Sequence, residues 1–412
     1  MKGKEKMAPA TQFYMQGQDQ GGVNVGTTVN LLRRYAFLER NCIRALAGWF
    51  LRVPAYEAKL ALGHQLWSHA ERVDAIRRRL QELRGGHGEA NVEPALQQVS
   101  DELLQAPEPE DFLASMAWLL SELREAYQAH LVTADASANA MEIRLLQRFL
   151  PDLERDHDRV AVAAATLAGG QEQPDWIAYL KSLLAAAGGV GGLESRPERP
   201  LPRPGGRHFE RPAELIFDQR IRDGGLLSQD TKLTLPFEER RVAEFVTFFN
   251  EFYAVALLAS ILYDAWNAEA PWEFFFDLAH QFWDEVRHAE FGLRRLRELG
   301  LEPSTINQVL FRQAQGLPFL HRLCYLTLGL EVYFMPRKRP RVRRYAEAGD
   351  ARSQLFADVD WSDEANHVRY GKRWVDFLLQ EDARTVEDVQ AEIAEYLKSY
   401  RLALPVGQLA PF

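Results

Sequence analysis

Two Glu-x-x-His units in the C-terminal half of the chain have the residue types of a metal site. Glu285 and His288 lie in the segment FWDEVRHAEFG, and Glu364 and His367 lie in WSDEANHVRYGKRW. Both segments have helical periodicity, and residues three apart share one face of a helix. Each unit can therefore direct a carboxylate and an imidazole at one metal ion. Such oxygen and nitrogen ligands suit Fe(II) and Mn(II).

A lone glutamate on another apolar segment precedes each unit. Glu251 lies in FFNEFYAVALLAS and Glu331 lies in LTLGLEVYFMP, at nearly equal distances before the following unit. A charged residue in such an apolar stretch is rarely buried unless it is paired or binds a metal. The two lone glutamates and the two units together predict a site for two metal ions. Buried salt bridges are the alternative interpretation.

An aspartate directly precedes the glutamate of each unit, at Asp284 and Asp363. A carboxylate near a metal-bound histidine often accepts the other ring N–H and fixes the tautomer. We therefore expect Asp284 to contact His367, and Asp363 to contact His288, across the pair of helices. The alternative is that both are exposed acids.

This ligand pattern resembles the ferritin-like superfamily, which includes ferritins, rubrerythrins, the ribonucleotide reductase small subunit and bacterial multicomponent monooxygenases. The resemblance covers about residues 236–382 and depends on the six glutamate and histidine positions. It implies a four-helix bundle with a dimetal centre that reacts with O2 or peroxide. The implied cofactor is two Fe ions, two Mn ions, or one of each.

Composition excludes several other classes of protein. The chain has 412 residues, with 49 basic and 58 acidic side chains and a net charge of −9, so nucleic acid is not the expected partner. No apolar run reaches the length that spans a bilayer, and the polar N-terminus lacks the apolar core of a signal peptide. Cys42 and Cys324 are the only cysteines. These features predict a reduced, cytoplasmic protein without disulfides or membrane contact, and they leave a homodimer open.

Helical periodicity interrupted by glycine and proline predicts an all-α fold. We expect two tandem ferritin-like four-helix bundles, derived from an internal duplication and joined by a segment rich in glycine and proline. The predicted boundaries are a flexible N-terminus at 1–25, a degenerate bundle at 26–187, a linker or wrap at 188–235, and a metal-binding bundle at 236–412.

The evidence for duplication is an ungapped similarity between LGHQLWSHAERVDAIRRRLQEL at 62–83 and LAHQFWDEVRHAEFGLRRLREL at 278–299. The first copy has His69 where the second has Glu285, and Arg72 where the second has His288. The other positions that correspond to ligands are Glu39, Glu125 and the Glu154-x-x-His157 unit.

Arg72 predicts that the first bundle lacks a metal, because a guanidinium has no lone pair for a metal ion. We expect Arg72 to form a salt bridge with Glu39, Glu125 or Glu154 in place of the lost ion. The alternative shifts the helix by two residues and uses Glu71 and Asp74 in an oxygen-rich site.

Residues one turn from the predicted ligands leave a further choice open. Gly292 and Gly371 each follow a ligand histidine by one turn, and Thr327 precedes Glu331 by one turn. Small residues at these positions either leave room for O2 and substrate or allow close helix packing. Pro336 is expected to end its helix, so that the basic run from Arg337 to Arg344 forms a solvated loop.

We therefore expect an oxidoreductase with a dimetal centre, with iron favoured, that activates O2 to oxidise a small organic substrate. Electrons would come from an external donor or from the substrate, since the sequence encodes no electron-transfer module. One alternative is peroxide or iron handling, as in rubrerythrins and ferritins. Another is a non-catalytic helical scaffold with a structural metal.

Overall fold

The computed structural model describes residues 22–86, 93–168, 174–197, 199–205, 208–268 and 270–403. These residues form an all-α fold, as predicted. In this part of the chain the strands are limited to one parallel pair, Arg222–Asp223 with Thr305–Ile306. Most of the predicted flexible segment, residues 1–21, lies outside the described residues.

The chain divides into two compact units. The first contains residues up to Ile43 together with Ser68–Phe209, and the second contains Arg44–Trp67 together with Glu210–Phe412. Residues 44–67, which the predicted boundaries assign to the first bundle, thus lie in the second unit. Close packing explains this placement: a Cβ on Gly63 would lie 2.4 Å from Val286, and Trp67 stacks on Trp283 with ring centroids 5.8 Å apart. The predicted linker 188–235 is likewise divided between the two units.

The first unit is built from α-helices with buried aliphatic and aromatic faces. They are α1 (Val25–Phe50) and α2 (Tyr56–Glu82), each of which also extends into the second unit, α3 (Pro94–Leu104), α4 (Pro109–Thr133), α5 (Ala140–Ala168) and α6 (Pro174–Ala186). Helix α4 packs along α5, and α3 packs against α6. Their buried positions recur at helical spacing, as in Phe112, Met116 and Leu123 on α4.

The second unit contains the predicted metal ligands. Its helices are α7 (Gln229–Thr234), α8 (Phe237–Phe249), α9 (Phe252–Asp264), a 3-10 turn (Ala265–Asn267), α10 (Trp272–Glu298), α11 (Val309–Ala314), α12 (Phe319–Cys324), a π-helix (Tyr325–Glu331), α13 (Val332–Glu347), α14 (Ala351–Leu378) and α15 (Val386–Ala403). Helix α10 packs on α8, α9 and α14, while α14 packs on the π-helix and α13. Helix α12 packs back on α9. The helices that carry the ligands therefore surround one interior.

Helix α13 corrects the expectation that Pro336 ends the helix. Pro336 and Pro340 both lie inside α13, and the basic run is helical rather than a solvated loop. Each proline removes one backbone hydrogen bond, but the two are four residues apart on one exposed face. The freed carbonyls can be hydrated there, so the helix continues. This continuation places Lys338 in the interior, where it is 4% exposed.

Gly292 and Gly371 allow close helix packing rather than leaving room for O2 and substrate. A Cβ on Gly292 would lie 2.2 Å from the backbone nitrogen of Phe249, and one on Gly371 would lie 2.0 Å from Oγ1 of Thr327. Neither position leaves room for a ligand. Gly292 instead brings α10 against α8, and Gly371 brings α14 against the π-helix.

The helix α14 begins at a well-formed cap. Asp350 accepts a hydrogen bond from the backbone nitrogen of Ser353 at 3.0 Å and pairs with Arg295 at 2.9 Å. Such a cap satisfies a backbone donor that the first turn of the helix leaves free. It fixes the end of the helix that carries the second Glu-x-x-His unit.

One helical stretch, Phe237–Asp264, is apolar and long enough to span a membrane, contrary to the expectation from sequence that no run reaches that length. It comprises α8 and α9, and 83% of its most apolar window is buried inside the fold. Its apolar side chains are therefore used in packing against the other helices of the second unit. Both cysteines, Cys42 and Cys324, are free and buried.

Candidate metal centre

The two Glu-x-x-His units face each other in the interior of the second unit. The carboxylate of Glu285 lies between the two imidazoles: Oε2 is 3.3 Å from Nδ1 of His288, and Oε1 is 3.3 Å from Nδ1 of His367. Both histidines are fully buried. Helices α10 and α14 thus bring together side chains that are far apart in the sequence, with one carboxylate able to bridge two ions.

Two sets of donor atoms could each hold a metal ion. Within each set the donor atoms lie within 4.8 Å of one another; the sets are Glu285, Glu331, Glu364 and His367, and His288, Asp360 and Glu364. Because they share Glu364, the two sets form one continuous centre. Five of the six predicted ligands belong to it. Glu251 lies on the wall of the adjoining pocket and outside both sets, so its role as a ligand stays a prediction.

Asp360 and Lys338 belong to the centre although the sequence analysis did not select them. Asp360 precedes Glu364 by four residues and lies on the same face of α14, a spacing that could have indicated it. Nζ of Lys338 donates to Oδ1 of Asp360 at 2.7 Å and to Oε1 of Glu364 at 2.8 Å. Lys338 was missed because its segment was expected to be a loop.

Each lone glutamate lies where a regular helix is interrupted. Glu331 is the last residue of the π-helix, and Glu251 lies at the turn between α8 and α9. π-Helical turns are uncommon and frequently occur at functional sites. Gln281 donates to Oε1 of Glu331 at 3.2 Å and holds the carboxylate on the α10 side.

The two aspartates that precede the units contact the histidines of the opposite helix. Oδ2 of Asp284 is 3.2 Å from Nε2 of His367, and Oδ2 of Asp363 is 3.2 Å from Nε2 of His288. These are the pairs expected from the sequence. Arg287 joins them, because its guanidinium donates to Asp284 and also to Asp363, at 2.8 Å. Each Nε2 is thereby engaged on the outside, and each Nδ1 faces the carboxylates.

Burial and close charges shift the pKa values of these groups in opposite directions. Burial disfavours the charged imidazole of His288, but Asp363, Glu285 and Asp360 outweigh it and raise its pKa to about 9. The pKa of His367 is raised in the same way. Burial raises the pKa of Glu251 to about 8, with Glu285 contributing to the rise. An imidazole must be deprotonated to bind a metal, so metal binding would release protons from this centre.

The donor set fits a divalent cation. Oε2 of Glu364 is buried without a hydrogen-bond partner. Nδ1 of His367, 3.3 Å from Glu285, and Oδ2 of Asp360, 3.6 Å from Arg341, also form no hydrogen bond. Groups of this kind are costly to bury unless something binds them. In addition, the centre and the adjoining wall hold five carboxylates against the two cations Lys338 and Arg341. The carboxylates are Glu251, Glu285, Glu331, Asp360 and Glu364. The carboxylate and imidazole donors suit Fe(II), Mn(II) and similar ions.

A cavity of about 870 Å³ leads to the carboxylates of the centre. Seven acidic side chains form part of its wall, and the last four lie at or beside the centre: Glu214, Asp223, Asp230, Glu251, Glu285, Glu331 and Glu364. Two tyrosines also line the cavity: Tyr253 is buried, and Tyr333, 53% exposed, lies toward solvent. The volume lies within the range of small-molecule sites.

The first unit has a different buried polar centre. Nε of Arg72 donates to Oε1 of Glu39 at 2.9 Å, and Nη1 lies 3.4 Å from Asp156. His69 also bonds Glu39, and the hydroxyl of Tyr127 donates to it at 2.7 Å. Burial opposes ionisation of Glu39, but Arg72 and His69 lower its pKa to about 2. A paired guanidinium thus occupies the middle of this centre, as expected for Arg72.

Three other residues that the sequence repeat aligns with metal ligands, Glu125, Glu154 and His157, do not belong to this centre. Glu125 and Glu154 are exposed, and His157 instead contacts Asp158 at 3.1 Å. Tyr127 and Asp156 lie inside, two residues later in each helix. In the alternative oxygen-rich site, Glu71 is exposed and Asp74 pairs with Arg78 at 2.7 Å. Among the described residues, both candidate metal-binding sets lie in the second unit.

Comparison with known proteins gives a match to a family model. The model of a family described as a protein of unknown function (DUF455) matches residues 240–407. No curated protein and no solved structure matches the chain. The matched region contains the six predicted ligands, Asp284, Asp363, and the two residues found from the structure, Lys338 and Asp360.

Proposed function

We propose that the second unit is a dimetal carboxylate oxidase or oxygenase of the ferritin-like type, with iron as the favoured metal. The observation that carries the proposal is the arrangement of the two donor sets, which share Glu364 and have Glu285 between the two imidazoles. This is the ligand chemistry of a centre for two adjacent ions. When bound, two Fe(II) ions would supply two electrons to O2, and O2 reduced in this way would be the oxidant of a small organic substrate.

The side chains of the chain would prepare the centre for this chemistry. His288 and His367 would bind through Nδ1, while Asp363 and Asp284 hold each Nε2–H and fix the tautomer. Arg287 keeps both aspartates in position. Lys338 holds Glu364 and Asp360, and a metal ion bound by the set that includes His288 would compete with its ammonium for these oxygens.

The cavity favours oxidation of an organic substrate over peroxide or iron handling. Its volume of about 870 Å³ can hold a small molecule, and it reaches the carboxylates directly. A centre used only for peroxide needs no space of this size. The remaining electrons would come from an external donor or from the substrate itself.

Oxygen consumption by the iron-loaded protein tests the proposal. The full-length chain is loaded anaerobically with Fe(II), O2 is added, and O2 uptake and iron oxidation are followed. We expect rapid uptake that Glu364→Ala abolishes and that Asp358→Ala, an exposed acid on the same helix, leaves unchanged. Failure to consume O2 with bound iron supports the structural-metal alternative. Repeated oxidation of added Fe(II) with iron accumulation supports iron handling.

A further inference from the structure

The cavity beside the metal centre has basic side chains on its wall as well as the carboxylates already described. These are Lys232, Arg312, Arg337, Lys338 and Arg341. Three of them have acidic partners: Arg312 pairs with Asp223, Lys338 bonds Asp360 and Glu364, and Arg341 lies 3.6 Å from Asp360. Among the described residues, Lys232 and Arg337 have no carboxylate within ion-pair distance.

Lys232 is the more unusual of these two cations, because it is only 5% exposed. Its ammonium donates a hydrogen bond to the hydroxyl of Thr247, one turn before Glu251 on the chain. Burial lowers its pKa to about 8, so the group is still mainly charged at neutral pH. Glu244 and Glu251 oppose the effect of burial on this pKa from a distance, but neither forms an ion pair with the ammonium. An ammonium has three donors, so a single hydroxyl partner leaves it able to bind an anion directly.

Arg337 is held on the wall of the same cavity by aromatic contacts. Its guanidinium lies 4.5 Å from the ring centroid of Tyr333 and 5.4 Å from that of Phe334, and it donates to the Tyr333 hydroxyl at 3.0 Å. These contacts hold the planar guanidinium in one orientation, and its paired N–H donors suit carboxylate and phosphate oxygens. They leave the positive charge itself without an acidic partner.

Metal binding would increase the positive charge that the cavity presents. Two divalent ions and the five basic wall residues together carry nine positive charges. They exceed by one the charge of the eight carboxylates on the wall and at the centre: Glu214, Asp223, Asp230, Glu251, Glu285, Glu331, Asp360 and Glu364. Such a cavity attracts anions and disfavours cations.

The rest of the wall provides apolar surface. Leu226, Leu227, Val309, Leu310 and Phe334 line the cavity together with the polar groups. We propose that the cavity binds an organic oxyanion, a carboxylate or a phosphate ester, whose headgroup contacts Lys232 and Arg337 and whose carbon chain lies along the apolar wall. This names the substrate class. It rests on the proposed function for the two metal ions that make the cavity positive and for the assignment of the bound molecule to oxidation at the centre.

Isothermal titration calorimetry on the Mn(II)-loaded full-length protein tests the binding. Four six-carbon probes are used: hexanoate, hexyl phosphate, hexanol and hexylammonium. We expect at least one of the two anions to bind, and hexanol and hexylammonium to bind at least about tenfold more weakly. The two anions distinguish a carboxylate site from a phosphate site. Equal binding of hexanol and the better anion, or no binding of either anion, overturns the proposal.

Two variants and a matched control locate the headgroup. Lys232→Met and Arg337→Met should each weaken binding of the better anion by about 10–100-fold, as expected for loss of a hydrogen bond to a charged group. Arg339→Met, an exposed arginine of the same helix, should leave it unchanged. Folding is checked by far-UV circular dichroism, and Arg337→Met suffices if the buried Lys232 variant does not fold. Unchanged anion binding in a folded Arg337→Met variant contradicts the proposal.

The outcome separates the two proposals. Anion binding that depends on these cations, in a protein whose Fe(II) form consumes no O2, supports the anion site and contradicts the oxidase. O2 consumption without anion binding supports the oxidase and contradicts the anion site.

Discussion

The two units each bury a cluster of charged and polar side chains, but they neutralise that charge in different ways. In the first unit Arg72 contacts Glu39 and Asp156 directly, and Tyr127 and His69 complete the bonding of Glu39. In the second unit the carboxylates outnumber the cations, and Glu364, Asp360 and His367 keep buried atoms without hydrogen-bond partners. The first centre is therefore complete as it stands, and the second has the donors of a site for cations.

The difference shows what one substitution can do to a carboxylate cluster. A guanidinium carries a fixed charge and five donors, so it can satisfy buried carboxylates permanently. An imidazole at the equivalent position in the second unit, His288, instead presents a lone pair once it is deprotonated. The internal duplication that relates these two positions stays a prediction, but the contrast between the centres does not depend on it.

The largest expected effect follows removal of the cation from the first centre. Arg72→Ala leaves Glu39 and Asp156 buried without their charge partner and should destabilise the first unit by about 3–5 kcal/mol. Hydrogen exchange of peptides from α1 and α4 measures this. Arg78→Ala, an exposed arginine of the same helix at 74% side-chain exposure, is the control. Metal content should not change, and a loss of bound metal would contradict the separation of the two centres.

Acid should weaken the first centre in a defined direction. Because the folded-state pKa of Glu39 is about 2 and its ordinary value is 4.5, ionised Glu39 stabilises the fold fully above pH 4.5. This contribution is lost as the pH falls through about 2, at about 1.4 kcal/mol per pKa unit.

The measurement is the free energy of unfolding of the native chain and of Glu39→Gln between pH 6 and pH 2. The difference between them should shrink as the pH falls below 4.5. A difference that stays constant over this range would mean that the charge of Glu39 does not stabilise the first unit.

In the second centre the outer aspartates should tune metal affinity. Asp284→Ala and Asp363→Ala each remove the carboxylate on Nε2 of a ligand histidine and should weaken metal binding by about 10–100-fold. Competition with a chelator of known affinity measures this, and Asp358→Ala serves as the control. Native affinity in both aspartate variants would show that the histidines need no outer partner.

The smallest expected effect concerns the exposed residues that the sequence repeat aligns with ligands. Glu125→Ala and Glu154→Ala should change stability by no more than about 0.5 kcal/mol, because both side chains are exposed. Asp156→Ala should cost more, since it removes a buried partner of Arg72. Equal effects of Glu154→Ala and Asp156→Ala in thermal unfolding would contradict the assignment of Asp156 to the first centre.

Helical periodicity and residue spacing predicted much of the architecture. The all-α fold is confirmed, and the structure brings Glu285, His288, Glu331, Glu364 and His367 into one continuous centre. The i, i+3 rule succeeds here because both units lie on long uninterrupted helices. The pairs Asp284–His367 and Asp363–His288 also follow from that geometry.

The wrong predictions have physical causes, because they depend on tertiary packing that a single sequence does not show. Pro336 and Pro340 lie on an exposed face, so α13 continues and carries Lys338 inward. The π-helix that ends at Glu331 and the turn at Glu251 depend on packing rather than on periodicity. In the first unit the alignment of Glu125 and Glu154 is two residues away from the buried Tyr127 and Asp156. A shift of two residues is small in sequence but moves a side chain to the opposite face of the helix.

Metal analysis of the intact protein tests the central claim most directly. The full-length chain is loaded with Fe(II) or Mn(II) under anaerobic conditions and freed of excess metal. Its metal content per chain is then measured by elemental mass spectrometry. The two donor sets predict about two metal ions per chain, both lost in Glu285→Ala and both retained in Arg72→Ala. About four ions per chain, or occupancy that survives Glu285→Ala, would contradict the assignment of one dimetal centre to the second unit.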